Sequence, residues 1–387
     1  MAGDDGRNNE LEALGVDTVR LGGRELIQER PFRAATRGLY NRAARSMITE
    51  WIKEHDTPDT VYHVHGWAKI LSPSVFTALS AVAGRTVIHA HDFFLACPNG
   101  SFVDYGKGEA CHRRPLSLDC LTTNCDKRSF AQKLWRVGRS ATLRRTLDGT
   151  APWAAVLMIH EKMQPYLELA GYLPNVLLTL RNPTVSFCRE RVKAEENRDF
   201  VFIGRIEPAK GVEQAIAASR RAEASLTVIG DGPLREELAS KYPDIRFLGW
   251  RSRSEISRDI VSARALIMPS LCTEPFGLVA VEASRSGLPV IASGSAFLAD
   301  ELEAAGLGFR CEPRDVDSFA ALLRQVLAIS AEEMRAMSER AFSAEIKLST
   351  SPEEWISSLI QIYERTCAGE RPEHSGLDKM ASDQGTI

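Results

Sequence analysis

The chain has 387 residues and a formal net charge of -3, and is 44% hydrophobic and 26% charged. At roughly 150 residues per domain this length gives two or three domains, with material for two sizeable cores. The nearly balanced charge excludes a general pull towards nucleic acid. No apolar run approaches the ~18 residues of a membrane span and the opening MAGDDGRNNE is no signal peptide, so the expectation is a cytoplasmic protein.

Residues 10–14 (ELEAL) read as the end of a helix and 16–21 (VDTVRL) as a strand. A doubly wound domain normally opens with a strand and a glycine-rich turn. The expectation is therefore that a first βα unit is missing here, or that the domain is built differently. Further strands are expected at 61–65 (VYHVH), 86–91 (TVIHAH), 155–159 (AVLMI) and 176–180 (VLLTL). The polar, proline-containing stretch 181–197 reads as a linker. Beyond it, strands at 200–203, 225–229, 245–248, 265–268 and 289–292 alternate with helical patterns at 212–221, 233–240, 254–262 and 277–286. Such alternation implies βαβ units and a parallel sheet with helices on both faces. Helices at 316–328, 331–344 and 352–366 close the chain. The expected domains are 1–185 and 198–350, with a helix over 351–366 packing back on the first domain and a flexible tail over 367–387.

Residues 204–211 (GRIEPAKG) follow the first strand of the second half and open a helix. Arg205 and Lys210 then sit at the carboxyl end of that strand, where two cations suit a diphosphate. The alternative is a pair of solvated surface charges. VIGDGP follows the next strand, and Gly230 and Gly232 allow close backbone approach to a ligand. It is not G-x-G-x-x-G, which counts against a nicotinamide site. CTEPFGLVAVEASRSGLPVIAS, residues 272–293, places Glu274 in a loop and Glu282 more than a turn inside a helix. Pro275 suits the first turn of that helix. The amides of Gly277, Leu278 and Val279 would be left without helical partners there and could face an oxyanion. Glu282 needs a partner such as ribose hydroxyls, or else faces solvent or pairs with Arg285 at i+3.

As a set, G-R-x4-K-G, G-x-G-P and E-P-F-G-L-x3-E followed by S-G-x-P-V resemble the retaining glycosyltransferases of the GT4 family. The resemblance runs from about Tyr62 to Tyr363 and is densest between Gly204 and Gly287. It implies an α/β protein of the GT-B fold, two Rossmann-like domains with parallel sheets facing across a cleft. The donor would be a nucleotide-diphosphate sugar, with Arg205 and Lys210 on its diphosphate, Glu274 on the sugar and Glu282 on the ribose. Gly204, Gly230, Gly232, Pro275, Phe276, Gly277, Leu278 and Val279 would complete the donor site. HVHGW at 63–67 and AHD at 90–92 end successive strands, and His91 matches the family's histidine beside the donor sugar, with His65 a weaker candidate near the acceptor. The family pattern implies front-face transfer, with no catalytic metal, no cofactor and no covalent glutamate intermediate. The acceptor would be a glycan or a lipid-linked glycan, plausibly in surface polysaccharide assembly. The rival readings are a non-catalytic or impaired nucleotide-sugar-binding relative, motivated by the unusual start, and a sugar-nucleotide epimerase of the same fold.

Two features stand outside this pattern. Cys97, Cys111, Cys120 and Cys125 share one long loop, where either a structural zinc site, with His112 as a substitute ligand, or four packed thiols is expected. The following stretch carries Lys127, Arg128, Lys133, Arg136, Arg139, Arg144 and Arg145, and 30–52 is similarly basic. Both read either as peripheral contacts with an anionic membrane or as ordinary solvated helix faces.

Overall fold

The computed structural model describes residues 1–147, 152–343 and 345–370. The chain divides into two compact units, Met1–Leu180 together with the chain from Ser357 onward, and Arg181–Ile356.

The first unit is built on four parallel strands, β1 (Tyr62–Val64), β2 (Thr86–Ala90), β5 (Ala155–Met158) and β6 (Leu177–Thr179), in the order β1-β2-β5-β6. Every residue of β2 and β5 is buried, as expected for parallel strands covered on both faces. The long connection between β2 and β5 holds a two-residue hairpin, β3 (Val103–Asp104) and β4 (Glu109–Ala110), and the helices Leu118–Thr122 and Phe130–Thr146. Phe76, Phe93, Phe102, Leu157 and Met158 are among its largest fully buried side chains. The start differs from expectation. Residues 9–13 are helical, capped by the Asn8 side chain. Residues 16–21 form no sheet strand: only Arg20 makes a bridge, with Ala2. Val16 stays 47% exposed and Val19 is only half-buried, so the stretch finds no core.

The second unit has six parallel strands: β7 (Asp199–Ile203), β8 (Leu226–Ile229), β9 (Arg246–Gly249), β10 (Ala263–Met268), β11 (Val290–Ser293) and β12 (Gly308–Cys311). Their order is β12-β11-β10-β7-β8-β9. The chain runs outward from β7 to β9, then returns to β10 on the other side of β7 and runs outward again. The reversal makes the β7/β10 boundary a topological switch point, the place where open α/β sheets bind ligands. β12 escapes the sequence pattern because only its end residues, Gly308 and Cys311, are buried. Residues 181–197 belong to this unit and are tied into it. Thr184 N–H donates to Thr350 O at 3.2 Å and Val192 N–H to Ser286 O at 2.9 Å. β10 even buries an arginine: the Arg264 guanidinium donates to the carbonyls of Val326 and Ile329, at the carboxyl end of the helix Val316–Ala328, and to that of Asn197. The helix Pro352–Cys367 passes from the second unit to the first. Most of the expected tail, residues 371–387, lies outside the described residues.

Candidate active site

Three glycines bring the strand-end loops of the second unit into backbone contact. Gly211 has φ +69°, and a Cβ there would lie 1.9 Å from the Pro269 carbonyl oxygen, so the loops after β7 and β10 touch. Leu271 N–H donates to Ala209 O at 2.9 Å across the same seam. A Cβ on Gly230 would lie 1.9 Å from Gly204 O, and one on Gly232 2.4 Å from Ile206 O, which joins the loop after β8 to the first. No side chain fits at these three positions.

Lys210 and Glu274 meet at this switch point as an ion pair, with side chains 30% and 18% exposed. Burial works against the charged ammonium, but the Glu274 carboxylate outweighs it and holds the Lys210 pKa above its ordinary value. Glu274 is fixed from several directions. Its N–H donates to Ser295 O at 3.3 Å, its carbonyl accepts from Phe297 N–H at 3.1 Å, and Ser270 Oγ donates to its carboxylate at 3.3 Å. Ser295 Oγ in turn holds the carbonyls of Ser270 and Cys272 at 2.9 and 3.0 Å. Arg205 stays 72% exposed, with Glu207 at 3.4 Å. The site thus presents an anchored carboxylate, a cation paired to it and a second, exposed cation.

The next turn explains the remaining motif residues. Gly277 has φ +76°, and a Cβ there would press on Met268 Sδ at 2.9 Å. It opens the helix Leu278–Ser284. Phe276 is buried in the core, Pro275 and Val279 are half-buried, and Leu278 is exposed. Glu282 has a partner that its helix does not supply. It accepts from Arg253 at 2.7 Å, whereas Arg285 donates to Thr184 O at 2.7 Å. Arg253 also donates to the carbonyls of Val185 and Ser186 and lies over the Phe187 ring at 5.0 Å. Sequence reasoning missed Arg253, which is 29 residues from Glu282. Its only local signal is its place at the start of a helix, just after the capping-box Ser252.

In the first unit, His91 is one of four stacked histidines. The in-register parallel pairing of β1 and β2, Tyr62 with Thr86 through Val64 with Ile88, sets residues two apart on a common face. His63 and His65 lie 4.1 Å apart between ring centroids, and His89 and His91 4.2 Å. His65 Nδ1 and His91 Nε2 share a hydrogen bond at 2.9 Å. Burial lowers all four pKa values, to about 3 for His63, about 4 for His65 and about 2 for His89. For the first three, neighbouring rings lower them further. The rings are therefore neutral at pH 7.

The cysteine loop does not fit the expected metal site. Cys97, Cys111, Cys120 and Cys125 are all buried, but among the described residues no three of their sulfurs come within 4.8 Å of one another. The wholly buried Lys133 points its ammonium at Cys125 Sγ (3.1 Å) and Cys120 Sγ (3.4 Å), a place a cationic metal could not share. Cys97 instead donates to Asn99, and Arg113 lies against Cys111. The basic helix is also less of a surface than its sequence suggests. Arg139 is buried among the rings of Trp67, Trp135 and Phe94, and donates to Ala68 O. Arg136 pairs with the buried Asp126 at 2.8 Å. Lys127, Arg128, Arg144 and Arg145 remain exposed.

Comparison with known proteins shows the family and the fold that carry this arrangement. Residues 187–344 match the family described as glycosyl transferases group 1. Glycogen synthase of Mycobacterium tuberculosis is 34% identical over 304 residues, covering 74% of this chain and 70% of that protein. D-inositol 3-phosphate glycosyltransferase of Mycobacterium marinum is 29% identical over 184 residues, covering 44% of this chain and 39% of that one. Among solved structures, sucrose-phosphate synthase of Thermosynechococcus elongatus superposes with a TM-score of 0.63 at 16% identity, covering 89% of this chain and 80% of that one. Anabaena HepE in complex with UDP superposes with a TM-score of 0.60 at 16% identity, covering 93% and 88%. These likenesses, with the two parallel sheets, establish the GT-B fold with its Rossmann-like units.

Proposed function

The chain belongs to the group 1 glycosyltransferases, and on that premise we propose that it transfers a sugar, with retention of configuration, from a nucleotide-diphosphate sugar to a glycan or lipid-linked acceptor. The observation that carries this reading is the Lys210–Glu274 pair, anchored at the β7/β10 switch point. Its geometry suits a donor with an anionic and a hydroxylated end. Lys210 turns to the diphosphate, joined by the exposed Arg205, and Glu274 is released to accept sugar hydroxyls. Glu282, oriented by Arg253, accepts the ribose hydroxyls. The UDP complex of HepE supports a nucleotide diphosphate as ligand.

In the proposed reaction the bond from the anomeric carbon to the diphosphate oxygen breaks. The acceptor hydroxyl bonds to that carbon on the same face, and its proton passes to the departing phosphate oxygen. Charge building on the diphosphate is stabilised by Arg205 and by Lys210 once it turns from Glu274, in place of a metal. His91 serves transfer rather than nucleotide binding. Neither glutamate becomes glycosylated; a trapped adduct on Glu274 would refute that step. Surface polysaccharide assembly is the process such an acceptor suits.

The test is calorimetric titration of the purified chain with UDP, GDP and ADP, beside Lys210→Ala. One nucleotide should bind in the micromolar range, and the variant should weaken it about 10- to 100-fold, the scale of a lost hydrogen bond to a charged group. Binding of none of the three, or equal binding by the variant, overturns the assignment.

A further inference from the structure

We propose that His63, His65 and His89 form a binding site for a late first-row divalent metal of the zinc class, held by three imidazoles. The donor nitrogens of these three side chains all lie within 4.8 Å of one another. Nitrogens sharing one zinc at 2.0–2.1 Å sit about 3.4 Å apart, so modest side-chain rotation completes the site. Imidazole donors of this kind suit zinc, copper and nickel and disfavour magnesium or calcium. Three protein ligands also leave one coordination position open, as in zinc sites that take a small exogenous ligand.

The site follows from the strand geometry. H-x-H on β1 and H-x-H on β2 each place two imidazoles on one face, and the in-register pairing stacks the two pairs. The ligands come from rigid neighbouring strands or the residues directly after them, which fixes their spacing better than a loop would. His63 carries the feature that plain ring stacking does not explain. The Tyr363 hydroxyl holds its Nδ1 at 2.6 Å, and its Nε2 is buried with no hydrogen-bond partner among the described residues. An unsatisfied buried polar nitrogen is costly, and a metal bond would satisfy it. A ligand histidine whose other nitrogen is hydrogen-bonded is the usual outer-shell pattern of metal sites. His65 and His91 are solvent-exposed, which gives an ion a way in. His91 hydrogen-bonds His65 and stands beside the ligand set.

The test is titration of the chelator-stripped full chain with Co2+, followed by visible absorption, with Zn2+ competition. The expected result is one equivalent bound, displaced by zinc, with ligand-field bands and no thiolate-to-cobalt charge-transfer band. Eight cysteines in the chain make that last point decisive. His63→Gln and His65→Gln should each weaken binding at least tenfold, and Tyr363→Phe about tenfold. His65 is exposed, so His65→Gln remains informative if a buried variant fails to fold by circular dichroism. Failure of the folded wild-type chain to bind Co2+, binding unchanged in His65→Gln, or a thiolate band would each overturn the proposal. UDP titration of the metal-free protein gives a separate answer on the donor site.

Discussion

A single carboxylate or ammonium at a strand end is ambiguous, and the structure resolves the ambiguity through what each one touches. Lys210 and Glu274 are 64 residues apart, yet they pair because Gly211 lets the two loops meet. Gly211 is therefore as much part of the site as the charges are. Gly211→Ala would force a left-handed φ on a Cβ residue and drive that Cβ into the Pro269 carbonyl. The expected outcome is a loss of at least ~2 kcal/mol in urea unfolding and weaker UDP binding by the folded fraction. Unchanged stability and unchanged binding would show that the two loops are not locked together. The motif glycines were legible because their types and spacing are local. Arg253 was not, because its bond to Glu282 exists only once the helices Arg253–Asp259 and Leu278–Ser284 are placed.

At the scale of elements, strands with continuous apolar runs were plain from sequence and those without were not. β10 is buried throughout and stands out, while β12 buries only its ends and does not. The same limit governs charges on helices. A helix rich in Lys and Arg looks solvated until its neighbours are known, and Lys133 and Arg139 turn inward to thiols and aromatic rings. Residues 181–197 show the converse. They read as a polar linker, yet Glu195 is 2% exposed and binds Arg191 through both oxygens, at 2.7 and 2.9 Å, with Arg335 at 3.3 Å. The Arg191 hydrogen bonds are the main reason its pKa falls from 4.5 to about 2. A lowered carboxylate pKa contributes stability that is complete above 4.5 and lost as pH falls towards 2. Glu195→Gln should cost ~2 kcal/mol at pH 7, because among the described residues the half-buried Arg191 keeps only the Glu339 ion pair, at 4.0 Å. It should also flatten the acid limb of the melting temperature between pH 4.5 and 2. Calorimetric melts of both proteins across that range check this, and an unchanged acid limb would remove Glu195 as its source.

At the scale of the whole molecule, no helix among the described residues is long and apolar enough to cross a membrane. Peripheral contact is a separate proposal, and the surface that suits it is the helix Pro31–Leu39 and the turn before it. Phe32 is 80% exposed and Ile27 71%, beside the exposed Arg30, Arg33 and Arg37. A groove of about 1160 Å³ next to them is lined by Arg37, Arg42, Arg45 and Lys53, among others. Apolar anchors within a basic surface favour anionic lipid. Sedimentation with anionic vesicles should fall several-fold in the Phe32→Asp, Arg33→Glu variant and in high salt. No change in either would leave these side chains as ordinary surface. Charge reversal at Arg136 or Arg139 would be a poor test, since both hold internal contacts.

The sequence by itself determined the alternation of strands and helices, the parallel sheets and the order of donor-site motifs along the chain. Each of these is encoded within one strand, turn or helix, through periodicity and the backbone freedom of glycine. Only the tertiary structure decided which charges are paired, which basic residues face inward, that the four thiols do not gather and that four histidines do. Those outcomes depend on strand order and register, which are set by long-range packing: the H-x-H spacing puts two imidazoles on one face of a strand, but only the pairing of β1 with β2 brings the two pairs together.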